Sequence, residues 1–149
     1  MNLSELSDFS GRTVFSNHYG GQNCLMLGPW EISDILFHNP TDNTNRLVEC
    51  KMLSTDNLER YPNTLVIDRA KVDALLRRSK DLGLASPWLF FCIAFTQGQY
   101  LAWQCDCKDL EGRETVQTIS QKTMESNDKI VKESYIINKS DCLKIINKK

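Results

Sequence analysis

No apolar run in the sequence is long enough to cross a bilayer: the longest, Trp88 to Phe95, falls well short of the roughly 20 residues a spanning helix needs. The opening stretch, MNLSELSDFSGRTVF, lacks a basic start followed by an apolar core, so an exported protein is not expected. Charge of one sign is also missing. A formal net charge of −1 and a pI near 6.1 exclude a histone-like binder, although an acidic whole can still carry a local basic surface. Only two histidines occur, His18 and His38, each in a loop-like context with no nucleophile arranged for a triad. Glycine patterns of the Walker or dinucleotide-binding type are absent. Neither a repeat nor a low-complexity block interrupts the 149 residues, so the elements are expected to share one core in a single domain spanning 1–149.

Cysteine is the residue present in unexpected number. Six occur, at 24, 50, 92, 105, 107 and 142; several lie inside apolar strand-like runs, and without an export signal they read as free, mostly buried thiols. Only Cys105-Asp-Cys107 is closely spaced, and one such pair without a second pair or a nearby histidine is a weak zinc signal.

Local patterns divide the chain into a mixed set of elements. Leu3 to Phe9 can make a short helical turn, with Gly11, Gly20, Gly21 and Asn23 marking loops. From Cys24 the order is CLML, Gly28-Pro29, WEISDILF, the turn-rich HNPTDNTN and RLVECKML, which reads as an antiparallel hairpin with a long tip. In its second strand Leu47, Glu49, Lys51 and Leu53 point to one face and Val48, Cys50 and Met52 to the other. The run TLVI leads to Asp68 as N-cap of the helix RAKVDALLRRSKDL, with Gly83 as its stop. Val72, Leu75, Leu76 and Leu82 form its apolar stripe, and Arg77, Arg78 and Lys80 its solvated face. WLFFCIAF and YLAWQC form a second hairpin with a central first strand. Lys108 to Lys129 reads as a polar excursion, ESYIIN as a last strand and SDCLKII as a short finish. The fold class is therefore α/β: a central mixed sheet of about four to five strands flanked by helices.

The chemistry-bearing residues fall on the first hairpin. Phosphodiester hydrolysis uses a divalent cation held by carboxylates, and a lysine beside the attacking water assists it. Asp34 on the first strand with Glu49 and Lys51 on the second supply those groups, and a cross-strand register can bring them to one side. A Glu-x-Lys pair alone is more often a solvated ion pair; the upstream aspartate, the apolar opposite face and the capped helix that follows raise its standing. Lys71 lies in the first turn of the helix, where the free N–H groups favour anions, so a phosphate contact is expected of it. Trp88, Phe90 and Trp103 read as core rather than a base-stacking platform.

On these residues the sequence resembles the PD-(D/E)xK, or restriction-endonuclease-like, nucleases. Their pattern is an acidic residue on one strand, Glu or Asp, any residue and Lys on the next, then a helix and further strands; SDILF, VECK and IDRAKVDALL match it in turn. The resemblance covers roughly 24–104, and more loosely YIINKSDCLKI, a closing strand near 133–146 like that of small stand-alone, often phage-borne members. It implies Mg²⁺- or Mn²⁺-dependent cleavage of nucleic acid, usually DNA, in the cytoplasm of a prokaryotic or phage-infected cell. Asp34, Glu49 and the backbone carbonyl of Cys50 would bind the metal, and Lys51 would orient or activate water. The sequence departs from the pattern in having Ile32-Ser33 instead of a proline before Asp34. Glu5 is the candidate for a further acidic ligand, and Glu31 has the wrong parity. A homodimer is expected because one small domain offers little surface to a duplex. The alternative is a nuclease-fold module with a degenerate metal site that binds nucleic acid or a protein.

Overall fold

The computed structural model describes residues 3–96, 99–121 and 129–148, with side chains from residue 11 onward except those of 96, 120, 121, 129, 130 and 148. The elements in chain order are α1 (Leu3–Tyr19), β1 (Cys24–Met26), β2 (Ile35–Asn39), β3 (Thr44–Met52), α2 (Asn57–Arg60), β4 (Thr64–Asp68), α3 (Arg69–Asp81), β5 (Trp88–Thr96), β6 (Gln99–Asp106), β7 (Val116–Gln121), β8 (Lys129–Asn138) and β9 (Leu143–Lys148). A six-stranded sheet runs β1-β2-β3-β5-β6-β9, and a three-stranded sheet runs β4-β8-β7. The class is α/β with a mixed sheet, as expected, but there are more strands than four or five. Among the described residues no helix is long and apolar enough to cross a membrane.

Strand order follows from connection length. β2 and β3 are joined by the tight tip 40–43, where Asn43 takes φ 55°, and pair antiparallel. β3 and β5 are parallel, with Glu49 beside Leu89 and Lys51 beside Phe91. A parallel pair needs a crossover, and β4 with α3 provides it. The all-apolar β5 sits between β3 and β6, the interior position its composition calls for.

The large sheet is covered on both faces. On one, α1 contributes Val14 and Phe15 to a cluster with Ile35, Phe37, Val48, Cys50, Phe90 and Cys92. On the other, α3 and the small sheet contribute Val72, Leu75, Leu65, Ile67, Tyr135 and Ile137 against Leu89, Phe91, Ile93 and Trp103. The alternation read along β3 holds: Val48 and Cys50 enter the α1 layer with Met52 beside them, and Leu53 packs in the α3 layer. Phe90 and Trp103 are buried in the core, and Trp88 packs beside it under the Arg46 guanidinium, 4.5 Å from the ring centroid.

Several expectations are corrected. The N-terminal segment is a 17-residue helix, not a short turn. Gly11 lies within it because a Cβ there would come within 3.2 Å of the Cys50 Cβ, so the glycine lets α1 approach β3 closely. WEISDILF is a strand only from Ile35 on. Trp30 is 97% exposed, and 29–34 form turns and bends in which only Ser33 and Asp34 are buried. The excursion after Lys108 contains β7, which pairs along its length with β8. The closing strand near 133–146 is two strands in different sheets, β8 and β9, separated by a 3₁₀ turn over Lys139–Asp141. Asp68 stands at the N-cap of α3, but its side chain makes no cap bond and pairs with Lys132 at 3.1 Å. Gly83 ends that helix as expected, with φ 68°, whereas Leu82 is exposed rather than part of the apolar stripe.

Candidate active site

Asp34 stands where β2 begins and its backbone joins two strands. Its N–H donates to the Val48 carbonyl at 3.1 Å, and its own carbonyl accepts from the Leu27 N–H at 2.9 Å. Ile35 also pairs with Val48, so two successive residues meet one position of β3. The side chain then takes the place that a longer β2 would have filled: Asp34 Oδ2 accepts the Cys50 N–H at 2.8 Å. That amide is the peptide group linking Glu49 to Cys50, so the Asp34 carboxylate lies in the middle of the Glu49-Cys50-Lys51 segment. A strand residue directs its N–H and C=O to the same side, so the Cys50 carbonyl also faces the edge that β2 leaves open.

The two acids are each held by a base. Asp34, only 7% exposed, accepts from Arg12 Nη2 at 2.9 Å and Nε at 3.2 Å through Oδ1. Arg12 Nη1 donates in turn to the Leu27 carbonyl at 3.0 Å. Both oxygens of the Asp34 carboxylate thus meet a donor, as a buried carboxylate requires. Glu49 lies on the α3 side, with Lys71 Nζ 3.4 Å from its Oε2. Lys71 also donates to the Ile32 carbonyl. Burial pushes the Cys50 thiol well up, and the charges of Asp34 and Glu49 push it further, so both carboxylates act on one point of β3.

The remaining expected residues fall as follows. Lys51 is exposed on β3 and pairs with none of the described residues. Lys71, expected to contact phosphate, has Glu49 as its partner within the chain, which supplies the reason for a cation in the first turn of α3. Glu5 belongs to α1 by its backbone, and its side chain lies outside the described residues. Glu31 is exposed in the turn before Asp34. His38 is exposed on β2, its Nδ1 2.7 Å from Asn45 Oδ1.

Arg12 is the participant that sequence reasoning missed. It follows Gly11, and with that segment read as a loop no facing could be assigned to it. The helical spacing of Gly11, Val14 and Phe15 was the available signal.

As a donor set for a cation, the site offers two carboxylates and one backbone carbonyl. Mg²⁺ is bound by one or two carboxylates plus waters and phosphate oxygens, so these residues fit that ion in kind. Arg12 and Lys71 now neutralise the same oxygens. Among the described residues no group of three or more His, Cys, Asp or Glu side chains stands arranged to hold a metal. No family model, curated protein or solved structure matches the chain.

Proposed function

We propose that the protein is a metal-dependent nuclease of the PD-(D/E)xK kind, cleaving phosphodiester bonds in DNA at Asp34, Glu49 and Lys51. The observation that carries this reading is the 2.8 Å bond from the Cys50 N–H to Asp34 Oδ2, which brings the upstream acid onto the Glu-x-Lys strand. The element order adds support: a helix, the three antiparallel strands β1 to β3 with Asp34 just before β2 and Glu49 on β3, a crossover through α2, β4 and α3, and a strand parallel to β3.

Bound Mg²⁺ or Mn²⁺ would supply phosphate polarisation and a nucleophile at neutral pH. The chain's own contributions are distinct from that. Asp34 and Glu49 present carboxylate oxygens from the α1 and α3 sides of β3, and the Cys50 carbonyl faces the same margin. Lys51, exposed beside them, provides a cation for a phosphate oxygen or a water. Arg12 and Lys71 hold the two acids in position before substrate arrives.

The test is incubation of the purified protein with plasmid, single-stranded and junction DNA plus Mg²⁺ or Mn²⁺, beside a Lys51→Ala variant. Metal-dependent cleavage lost in the variant is expected. Equal cleavage by both proteins, or none by either on all three substrates, overturns the reading.

A second reading has its own observation. Arg12 and Lys71 already sit on the carboxylates, an arrangement that a degenerate module binding nucleic acid or a protein would also keep. Calorimetric titration with Mn²⁺ separates the two: saturable binding that is lost on Asp34→Ala belongs to the nuclease, and no heat of binding to the module.

A further inference from the structure

All six cysteines are free, and two of them stand across from each other. Cys105 belongs to β6. Cys142 has an extended backbone, φ −101° and ψ 153°, immediately before β9. β6 and β9 run antiparallel with Gln104 paired to Leu143, so one more step of the same register sets Cys105 opposite Cys142. Both side chains rest on the same buried cluster, and the Cys142 thiol donates to the Asn138 carbonyl at 3.6 Å. Opposed residues on antiparallel strands are about 4.5–5.5 Å apart at Cα, within the roughly 4.4–6.8 Å that a disulfide spans.

We propose that Cys105 and Cys142 form a redox-active dithiol, oxidised by a small-molecule disulfide of the glutathione type to a bridge that ties β6 to β9. The two cysteines take different roles. Cys142 is partly exposed, and the neighbouring Cys105 thiol holds it below the usual value against burial and Asp141. It is the attacking sulfur. Cys105 is held well above the usual range by the neighbouring Cys142 and by burial, so it stays a thiol until needed.

In the first step the Cys142 thiolate attacks one sulfur of the small disulfide. The mixed disulfide forms, and one small thiolate leaves to take up the proton Cys142 had lost. In the second step Cys105 gives its proton to water and its thiolate attacks the Cys142 sulfur, and the second small thiolate leaves and takes up that proton from water. Two protein thiols lose two electrons, and one small disulfide becomes two thiols.

Neighbouring cysteines do not compete. Burial pushes Cys92 up to about 12 and raises Cys24, Cys50 and Cys107 as well. Thiolate character, which controls attack, is therefore concentrated at Cys142. The pair lies at the β9 margin of the large sheet, the opposite side from Asp34.

The experiment treats the full chain with oxidised glutathione, quenches with acid and maps the peptides by mass spectrometry. A loss of two hydrogens is expected, with a cross-linked peptide containing Cys105 and Cys142 that dithiothreitol releases. Cys105→Ser should instead accumulate glutathione on Cys142. The bridge closes the loop carrying β7 and β8, so the oxidised protein should melt on the order of 5–10 °C higher. On the reduced wild type, independent of any variant, iodoacetamide should label Cys142 at least about 5-fold faster than the similarly exposed Cys24. A bridge between other cysteines, no bridge in the wild type, or equal labelling of Cys24 and Cys142 overturns the proposal.

Discussion

Replacing Arg12 by alanine removes three hydrogen bonds at once, two to Asp34 Oδ1 at 2.9 and 3.2 Å and one to the Leu27 carbonyl at 3.0 Å. Of the donors to the Asp34 carboxylate, only the Cys50 N–H would remain. A hydrogen bond to a charged group contributes about 1.5–3 kcal/mol, and breaking a buried pair from one side costs about 3–5 kcal/mol. The Arg12 side chain is 24% exposed, so water replaces part of what is lost, and the expected destabilisation is about 2–3 kcal/mol. Urea unfolding at neutral pH reads it as a midpoint lowered by roughly 1–2 M at unchanged slope. The same variant probes the cation site, because a divalent ion can take the place of the guanidinium. Mn²⁺ at about a hundred times its Kd should return about 2.7 kcal/mol. A loss below about 0.5 kcal/mol, the range of ordinary surface changes, would refute the account of the Arg12–Asp34 pair. A full loss that Mn²⁺ leaves unchanged would retain the pair and refute Asp34 as a cation ligand.

Further predictions concern the same layer. Lys51→Ala, at an exposed position, should leave the unfolding free energy read in urea within about 0.5 kcal/mol of wild type while abolishing cleavage, so that lost activity cannot be assigned to unfolding. Gly11→Leu should destabilise by about 1–2 kcal/mol in urea: overpacking against Cys50 and Met52 costs about 1–3 kcal/mol, offset by under about 1 kcal/mol of helix propensity. Tyr19→Phe, which removes the 2.6 Å bond from Tyr19 Oη to buried Gln104, should cost about 1–2 kcal/mol. The Tyr19 hydroxyl is raised above 10.0, chiefly by burial. Its contribution is therefore complete below pH 10 and declines as pH rises from there through the folded value, because the unfolded chain ionises first. Unfolding curves between pH 9 and 11 should fall less steeply for the phenylalanine variant than for wild type.

What could be read in the sequence was what depends on near neighbours. The alternation through Leu47–Leu53, the helix ending at Gly83 and the hairpin from Trp88 are set by residues a few positions apart, and they fold as read. α1 was misread because Gly11 signals a loop locally, while the reason for it, contact with Cys50, lies some 40 positions away. β7 is polar and alternates weakly; pairing with β8 makes it a strand. The site was legible as a set of residue types on two adjoining segments. Its actual joint was not, since Asp34 reaches Cys50 only because β2 stops one residue short of it. The Arg12 and Lys71 partners come from two helices on opposite faces of the sheet, which no spacing rule connects.

The small sheet imposes an order on synthesis. β4 is made before its partner, residues 134–138, so Leu65 and Ile67 cannot complete their burial until β8 has been made. A ribosome-bound chain ending before β8 presents their apolar surface and an unpaired strand to whatever is nearby, the condition that recruits chaperones or leads to aggregation. Truncation at residue 121 should accordingly yield insoluble protein, although β1, β2, β3, β5 and β6 of the large sheet would already be present.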